Sequence, residues 1–458
     1  MMRSVYIVLI AGCMILSGCS HWPTAKKPAV FDVVEYGARA DGVTMDTEAV
    51  QAAIDACTPG GIVLVSPGRY VVGTLWLKSD MELRVAEGAQ LLGSTSLDDY
   101  SRDNEGAIEA PAFDECLLYA KGAKNLTLSG KGVIDGRGYK EHFPVELADG
   151  SLGDRPMLIR FVDCKKVTFE GITLKNAASW CTHLVDCDDI VIRNVTLDTH
   201  TQINNDGFDM DGCKNILIED STIFSGDDSI CPKSTTDRLT ENLVVRNCRI
   251  RSNTAAFKCG TSSRGGFRNM TFKDCDFSGC RMGVIKLMTV DGGILEDITI
   301  SNIVMNDVEG PIFIRLANRG RTYAKPTEQI YDQDVKTEGL PPGKVKNIRI
   351  SNIQATVTGE AYDRQGIMIS GIPGHYIEDV VLENIKITYP GGGPEVKNPV
   401  PEDIARYPEA FFFGTLPSWG AYIRHARNIE FKNVEMTTLT PDVREIIVLD
   451  DVKDFVNH

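Results

Sequence analysis

The sequence predicts an all-β fold, a single right-handed parallel β-helix of about ten coils with one helix capping its N-terminal end. A short phrase of alternating apolar and polar residues recurs through most of the chain, and each copy ends in a turn-prone Asn, Asp or Gly. Helical periodicity is confined to one segment near the start. The 458 residues exceed an ordinary domain, yet a solenoid can reach this length without a boundary, so we expect residues 30–458 to form one catalytic domain.

The N-terminal residues have the features of an export signal. Residues 1–18 combine a basic start with the apolar run VYIVLIAGCMIL, which is too short for a transmembrane helix. The run ends in Leu-Ser-Gly followed by Cys19, an order that resembles a bacterial lipobox. The resemblance implies a lipoprotein signal peptide, a lipidated Cys19 and a tether over residues 19–29. Because Ser20 follows the cysteine, it also implies a lipid anchor in the outer membrane, with the periplasmic or the cell-surface face left open; a plain secretory signal is the alternative.

The capping helix is predicted directly after the tether. The segment FDVVEYGARADGVTMDTEAVQAAIDAC reads as a strand, a Gly-rich turn and a helix that Asp46 or Thr47 can cap. An apolar stripe recurs at helical spacing, at Ala49, Val50, Ala53, Ile54 and Cys57. We expect this stripe to close one end of the β-helix.

The repeated phrase sets the length of one coil. Its first residue is an apolar marker in VTFEGITL, IVIRNVTL, ILIEDSTI and the copies that follow. The markers lie 23, 26, 27, 27 and 28 residues apart, at Val167, Ile190, Ile216, Leu243, Met270 and Ile298. We therefore expect these residues to stack in neighbouring coils, with apolar side chains filling a dry interior.

Two longer gaps interrupt this period. Ile298 to Ile348 spans 50 residues and Val380 to Ile429 spans 49, and each gap is compatible with two coils plus a loop. Both gaps contain aromatic and basic residues, which favours the walls of a binding cleft over surface decoration.

Composition limits the partners and the metal chemistry. The net charge of −15 argues against nucleic acid as a partner, and an acidic glycan would need a local basic patch. Among the 13 cysteines, Cys164, Cys187 and Cys213 each precede a strand-like run, so we expect mostly free, buried thiols that stack between coils. No CxxC pair occurs, and the sequence predicts neither a metal site nor a cofactor.

Three carboxylates occur in two similar turns within residues 204–234. Asp206 follows Asn205, the pair Asp227 and Asp228 follows Gly226, and strand-like runs separate the two turns. If one coil separates them, they stack on one face. Hydrolysis at a sugar carbon needs one protonated carboxyl and one carboxylate, and crowding raises the pKa of at least one member of such a cluster. Ordinary turn chemistry and a calcium site are the alternatives.

The motifs around these aspartates resemble the signature of the polygalacturonases, glycoside hydrolase family 28. NNDG stands at residues 204–207 and GDD at residues 226–228, with Asp206 and Asp227 separated by 21 positions. Further matches are FDVVEYGARADG, SWCTHLVDCDDIVIRNVTL, and IK followed by GG. The resemblance covers about residues 31–433 and implies a right-handed β-helix with hydrolytic activity.

The resemblance also implies catalytic roles. Asp227 would be the general acid, while Asp206 and Asp228 would hold and deprotonate the attacking water, with inversion at the sugar carbon. The implied substrate is pectin or a related acidic polysaccharide, and NNDG beside a long loop favours exo action. Two alternatives stay open: a lyase or epimerase that uses Lys258 or an arginine as base and the aspartates as a calcium site, and a non-catalytic glycan-binding lipoprotein.

Substrate-binding residues follow from the same resemblance. Lys286 matches the lysine of the family's Arg-Ile-Lys element, which grips the substrate carboxylate, and Asn204 belongs to NNDG. His183 matches a recurrent family histidine, with a structural role as the alternative. Two positions depart from the family: its Gly-His-Gly histidine is replaced by Ala255, and the arginine of Arg-Ile-Lys by Val284.

Replacement groups for the two lost residues lie nearby in the sequence. Lys258 falls close to the lost histidine, and Arg264, Arg268 and Arg315 lie in coils that should border the same cleft. Tyr323, in the first long gap, would supply an aromatic contact beside the catalytic subsite. A solvated, outward-facing lysine is the alternative for Lys258.

Overall fold

Neighbouring strands pair in parallel, and successive coils stack on one another. The structure is a computed structural model that describes residues 27–101, 115–151, 153–321, 340–359 and 366–458. Its strands form three stacked columns, which we call sheets 1, 2 and 3. This architecture confirms the predicted parallel β-helix.

Sheets 1 and 2 carry the two halves of the repeated phrase. The strands of sheet 1 are Val30–Asp32, Gly61–Val65, Met81–Val85, Lys124–Gly130, Lys165–Glu170, Asp188–Arg193, Lys214–Glu219 and Thr240–Arg246. Those of sheet 2 are Asp41–Met45, Gly68–Val72, Ala89–Gly93, Val133–Asp135, Thr173–Lys175, Thr196–Thr199, Thr222–Ser225 and Arg249–Ser252. In later coils one long strand runs through both sheets, as in Gly266–Ser278, Ile294–Val308, Lys344–Val357 and Ile377–Tyr389.

Sheet 3 completes each coil and positions the site described below. Its strands are Leu75–Trp76, Cys116–Lys121, Met157–Val162, Thr182–Val185, Phe208–Asp211, Ile230–Lys233, Phe257–Lys258, Ile285–Thr289, Ile312–Leu316 and Ile367–Ser370. The last two strands begin in sheet 3: Ser418–Thr438 continues through sheets 1 and 2, and Glu445–Asn457 continues into sheet 1.

The marker residues pair as the period predicts. Each partners the next in sheet 1, in the order Val167, Ile190, Ile216, Leu243, Met270 and Ile298. All six are buried, and their side chains belong to one apolar cluster. The same cluster extends from Val50 near the N-terminal end to Phe431 near the other end, so a single interior stabilises the coils.

The prediction for the two long gaps is wrong in one respect. Ile298 pairs directly with Ile348, and Val380 pairs directly with Ile429, so each gap holds one coil with a long insertion. The coil can hold its register because an insertion leaves the stacked strands at a turn and returns to the same place. In the second gap the insertion is residues 390–417.

An asparagine ladder explains the turn residue of the phrase. Asn215 donates its side-chain amide to Asp189 at 2.9 Å, Asn242 to Asn215 at 3.0 Å, and Asn269 to Asn242 at 2.7 Å. All four residues have φ between 53° and 60°, the left-handed conformation that Asn and Asp tolerate better than other L-residues. The ladder therefore fixes the turn and ties each coil to the next.

The single α-helix within the described residues spans Thr47–Ala56. Val50, Ala53 and Ile54 are buried against the first coils, as the predicted stripe requires. Shorter 3-10 segments lie at Val33–Tyr36, Leu97–Asp99 and Ala410–Phe413.

The capping prediction for this helix is confirmed for the position of the cap but not for a side-chain capping bond. Asp46 occupies the N-cap position, but its carboxylate accepts hydrogen bonds from the Arg39 amide at 2.7 Å and the Ala40 amide at 3.2 Å. The Thr47 hydroxyl accepts from the Gly73 amide at 2.8 Å. Both side chains therefore tie the helix to the preceding loop and to the sheet.

The cysteine prediction is confirmed within the described residues, where all eleven cysteines are free and buried. Cys164 and Cys187 lie in adjacent coils, with the Cys164 amide 3.4 Å from the Cys187 sulfur. Cys13 and Cys19 lie outside the described residues. Across the described ranges, no helix is both long and apolar enough to cross a membrane.

Candidate active site

The outer face of sheet 3 carries a row of polar side chains. Its strands point alternate apolar residues into the core, and their register aligns His183, Asp209, Cys231, Lys258 and Lys286 on the outer side. All five are buried even though they lie outside the coil. Because buried charges are costly unless they are paired, this row is the first place to look for a site.

A pocket of about 330 Å³ opens beside this row. Asp206, Asp227 and Asp228 contribute to its lining, from the turns that precede strands Phe208–Asp211 and Ile230–Lys233. The structure therefore brings the three predicted catalytic residues together in one cavity.

The two aspartate turns are neighbours in successive coils. The Gly207 amide donates to the Asp228 carbonyl at 2.9 Å, and the Asp227 amide donates to the Asn205 carbonyl at 3.2 Å. The carboxylates consequently stack on one face, as the spacing predicts.

The residue before each aspartate fixes its turn. The Asn205 side-chain amide donates to the Ala177 carbonyl at 2.8 Å, and its oxygen accepts from the Gln202 amide at 2.7 Å. A Cβ on Gly226 would lie 2.6 Å from the Gln202 carbonyl oxygen, closer than any side chain can approach. Asn205 and Gly226 therefore hold the backbone that presents the carboxylates.

Asp227 has the environment of a proton donor. Its carbonyl accepts from the Ser225 hydroxyl at 2.5 Å and the Ser252 hydroxyl at 2.7 Å, which fixes its backbone. Burial, followed by the neighbouring charge of Asp228, raises the pKa of the Asp227 carboxyl. The Thr254 hydroxyl lies 3.0 Å from its Oδ1. A raised pKa keeps the proton that a general acid must deliver.

Asp228 has the opposite environment. Burial alone would raise its pKa, but the ammonium groups of Lys258 and Lys286 hold the pKa below its ordinary value. The Lys258 Nζ lies 2.8 Å from Asp228 Oδ2, and the Thr254 hydroxyl lies 3.0 Å from Oδ1. The pKa of Asp227 is therefore raised and that of its neighbour Asp228 is lowered, which is the pattern expected of an acid and a base.

Lys258 is a charged partner and not a base. Burial alone would lower its pKa, but Asp228, Tyr407 and Glu409 together raise the pKa well above the usual range for lysine. Its ammonium lies 3.3 Å from Glu409 Oε1 and donates to the Tyr407 hydroxyl at 3.4 Å. A lysine that stays protonated cannot abstract a proton, which argues against the lyase or epimerase alternative that uses Lys258.

Asp206 completes the cluster. Burial, followed by the charges of Asp209 and Asp227, raises its pKa well above the ordinary value. Oxygens of Asp206 and Asp228 and the sulfur of Cys231 all lie within 4.8 Å of one another. One water can bridge two oxygens at that separation with hydrogen bonds of ordinary length, about 2.7 Å each.

The same three residues fit a calcium ion poorly. Calcium takes oxygen ligands, whereas burial raises the pKa of the Cys231 thiol and keeps it protonated. The Lys258 ammonium already occupies one side of Asp228 at 2.8 Å. A second cation at this carboxylate would meet that charge, so the cluster is better suited to holding water.

The second long insertion forms one wall of the pocket. Tyr407, Glu409, Phe411 and Phe412 line it, and Glu409 Oε2 lies 2.6 Å from the Lys286 ammonium. The predicted role of this insertion as a cleft wall agrees with the structure. Sequence reasoning missed each of these residues individually, because only the composition of the insertion pointed to the cleft.

Two further pocket residues were also missed. Lys233 lies 3.4 Å from Asp209 and 4.4 Å from the centre of the Trp180 ring. Thr254 lies in the Thr-Ala-Ala segment that stands in place of the family's Gly-His-Gly. The one available signal for Lys233 was its place in a strand of sheet 3, in line with Asp211.

The predicted substrate-binding residues divide into two groups. Asn204 and Lys258 line the pocket. Lys286 is 1% exposed and lies beneath Glu409, outside the pocket lining. His183 is 2% exposed, and burial lowers its pKa well below the ordinary value, which supports the structural alternative for it.

The structure places Arg264 and Arg315 outside the pocket lining. Arg264 lies outside the pocket and pairs with Asp237 at 2.9 Å. Arg315 is fully buried and donates to the Glu402 carbonyl at 2.8 Å, so it anchors the second insertion beneath its surface. Arg264 lies in a turn before strand Gly266–Ser278, and Arg315 faces outward in register with Met288 but is covered by the second insertion. Tyr323 lies outside the described residues.

The spacing of the carboxylates bears on the stereochemistry. The Thr254 hydroxyl lies 3.0 Å from Oδ1 of both Asp227 and Asp228, so these oxygens are at most about 6 Å apart. Inverting glycosidases usually separate acid and base by about 6.5–9.5 Å. Asp206 and Asp228, whose oxygens lie within 4.8 Å of one another, can together hold the attacking water.

Thr254→Val should lower kcat about tenfold, since a hydrogen bond to a charged group contributes about 1.5–3 kcal/mol. The hydroxyl lowers the pKa of Asp227, so its removal should also move the alkaline limb of the pH–rate profile to higher pH. Thr222→Val, at an exposed position on the preceding coil, is the control. An unchanged pH profile in the Thr254 variant would show that this hydroxyl does not act on Asp227.

Comparisons with known proteins identify the family. The model of the Glycosyl hydrolases family 28 matches residues 78–403, and a model named Rhamnogalacturonase A/epimerase, pectate lyase-like, matches residues 30–93. An exo-poly-alpha-D-galacturonosidase of Dickeya chrysanthemi is 29% identical over 254 residues, which cover 45% of this chain and 42% of that protein. An exopolygalacturonase of Platanus acerifolia is 25% identical over 388 residues, covering 80% of this chain and 92% of its own.

Solved structures show the same fold. The family 28 exopolygalacturonase of Yersinia enterocolitica has a TM-score of 0.71 at 21% identity, covering 94% of this chain and 79% of its own. A hyperthermoactive exopolygalacturonase from Thermotoga maritima has a TM-score of 0.69 at 22% identity, covering 89% and 91%.

Proposed function

The chain belongs to family 28 of the glycosyl hydrolases and is a glycoside hydrolase, and on that premise we propose that it removes sugars from pectic polysaccharide by exo action with inversion. The observation that carries the proposal is the opposite pKa shift of two adjacent pocket carboxyls, Asp227 upward and Asp228 downward. The names of the relatives, an exo-poly-alpha-D-galacturonosidase and exopolygalacturonases, support a pectic substrate and exo action.

The proposed roles use only this chain's own side chains. Asp227 donates its proton to the glycosidic oxygen that leaves. Asp206 and Asp228 hold the water, and ionised Asp228 takes its proton as the water attacks the sugar carbon. Thr254 lies between Asp227 and Asp228 and orients both carboxyls. Trp180, Phe411 and Phe412 offer apolar surface to the faces of a sugar ring.

Product analysis tests the proposal. The full-length protein is incubated with a panel of pectic backbones and side-chain oligosaccharides, with calcium and with a chelator. We expect single sugars with saturated rings, released from chain ends at the same rate in both conditions. Products of mixed length from the start would contradict exo action, and no release from any member of the panel would contradict the pectic assignment.

A lyase or epimerase is the second candidate, favoured by the match of residues 30–93 to the Rhamnogalacturonase A/epimerase model. The same experiment separates the two. A lyase yields unsaturated products that absorb in the ultraviolet, and activity that disappears with the chelator would assign calcium to the aspartates.

We also propose that the protein is a lipoprotein attached through Cys19 to the outer membrane, after removal of residues 1–18. The support is the order of apolar run, small residues and cysteine. Cys19→Ala should abolish incorporation of an alkyne-tagged fatty acid in cells and move the protein out of the membrane fraction. Cys13→Ala, inside the apolar run, is the control and should still be labelled. Labelling of the Cys19 variant would contradict the proposal.

A further inference from the structure

Glu409 is a buried carboxylate of the pocket wall that contacts two buried lysines. It comes from the second insertion, is 3% exposed, and meets two buried lysines at once. Oε2 lies 2.6 Å from the Lys286 ammonium and Oε1 lies 3.3 Å from the Lys258 ammonium. Both positive charges in this part of the site are therefore engaged by the protein's own carboxylate.

Lys258 is engaged a second time. Its ammonium also lies 2.8 Å from Asp228 Oδ2, so two carboxylates share one lysine. The other lysine that lines the pocket, Lys233, lies 3.4 Å from Asp209. Arg319 lies 5.2 Å from the centre of the Tyr407 ring, but it is fully buried and outside the pocket lining.

The charged groups that line the pocket are more acidic than basic. Four carboxyls line it, from Asp206, Asp227, Asp228 and Glu409, against the ammonium groups of Lys233 and Lys258. If Asp206 and Asp227 are both protonated the lining is neutral, and if either ionises it is negative. Lys233, Lys258 and Lys286 are each paired with a carboxylate of the protein, so the cluster leaves no unpaired ammonium for a carboxylate on the bound sugar.

The remaining wall suits an uncharged ring. Trp180, Ile203, Met282, Tyr407, Phe411 and Phe412 line the pocket and provide apolar and aromatic surface. Such surface packs against the C–H faces of a sugar, while the carboxyls accept hydrogen bonds from its hydroxyl groups.

We infer that the pocket receives an uncharged sugar unit of a pectic chain, and that Glu409 is the residue that excludes a uronate from it. The inference rests on the proposed function, because it names the sugar accepted at the same site. An uncharged unit is either a neutral sugar or a uronate whose carboxyl is esterified. Glu409 acts here as a specificity residue: it fills the lysine pair and adds negative charge to the wall.

Binding to a matched ligand pair tests the inference. The ligands are an oligogalacturonide and its fully methyl-esterified form, which differ in charge, and binding is measured by calorimetry in the inactive Asp227→Asn background. We expect the ester to bind at least about tenfold more tightly than the acid, since like charges brought together in a buried site are strongly unfavourable. Adding Glu409→Gln should lower the ratio of ester affinity to acid affinity at least about tenfold. Glutamine keeps the shape of the side chain but leaves both lysines free to pair with the acid.

The control is Glu395→Gln in the same background. Glu395 belongs to the same insertion but is exposed and pairs with exposed Lys397, so its removal should leave the ratio unchanged. Tighter binding of the acid than the ester, or a ratio that Glu409→Gln does not change, would overturn the inference. These outcomes are distinct from failure of the proposed function, which is no sugar release by the unmodified protein from any pectic substrate. Binding of neither ligand would overturn the esterified-uronate form of the inference, and release of free galacturonate from the pectic panel would overturn its neutral-sugar form.

Discussion

Asp227→Asn is expected to lower kcat by about 10²–10⁴-fold, the usual contribution of a positioned general acid. Asparagine keeps the shape of the side chain and can still accept from the Thr254 hydroxyl, so the fold and the sugar affinity should be retained. Steady-state kinetics on a natural oligosaccharide, together with thermal unfolding, provide the measurement.

The leaving group distinguishes a proton donor from other roles. A nitrophenyl glycoside of the accepted sugar releases a phenolate that needs little protonation, so the Asp227 variant should lose far less activity on it. The alkaline limb of the pH–rate profile should also disappear, because the raised pKa of Asp227 produces it. Asp237→Asn, at an exposed carboxylate outside the pocket, is the control and should behave as the unmodified protein. Equal losses on both substrates would rule out the role of Asp227 as acid.

Lys258→Met is expected to have the largest effect on stability, a loss of about 3–5 kcal/mol in the free energy of unfolding. The Lys258 side chain is 6% exposed, and its ammonium pairs with Asp228 at 2.8 Å and Glu409 at 3.3 Å. Methionine has a similar length but leaves Asp228 buried without its nearest positive charge. Denaturant unfolding measures the loss.

The pH dependence of this loss has a definite sign. Lys258 holds the folded-state pKa of Asp228 below the ordinary value of 3.8. The pair therefore contributes stability that is present above that value and is lost as the pH falls through the lower folded-state pKa. The deficit of the variant should be full near neutral pH and should shrink below about pH 4.

A surface ion pair provides the control for Lys258. Arg246 pairs with Glu219 at 2.5 Å, and its side chain is 46% exposed. Arg246→Met should cost no more than about 1 kcal/mol, because solvent screens such pairs. A similar small cost for Lys258→Met would mean that the buried cluster does not depend on this lysine.

The sequence was sufficient for features that repeat. Apolar markers such as Val167 and Ile190 stack because a fixed period leaves one register that buries them all. The aspartate turns could be predicted for the same reason, since Asp206 and Asp227 lie one coil apart. Local patterns fix these features, and no distant contact is needed to infer them.

Features that depend on the insertions could not be predicted. Glu409 contacts Lys258, which lies 151 positions earlier in the sequence, and the period of the repeated phrase does not predict where an insertion packs. The same limit explains Arg315, which was predicted to contact substrate but instead donates a hydrogen bond to the backbone carbonyl of Glu402. The length of the two gaps was misread because an insertion and an extra coil add similar numbers of residues.

The stereochemistry of the product is the most direct test of the central claim that Asp227 protonates the leaving oxygen while Asp206 and Asp228 deliver water. Proton NMR at early times, on a substrate of known anomeric configuration, follows the first product before it equilibrates. We predict a product with the opposite configuration, even though the oxygens of Asp227 and Asp228 on Thr254 are at most about 6 Å apart. A product with retained configuration would contradict direct attack by water and would require a covalent sugar intermediate on one of the aspartates.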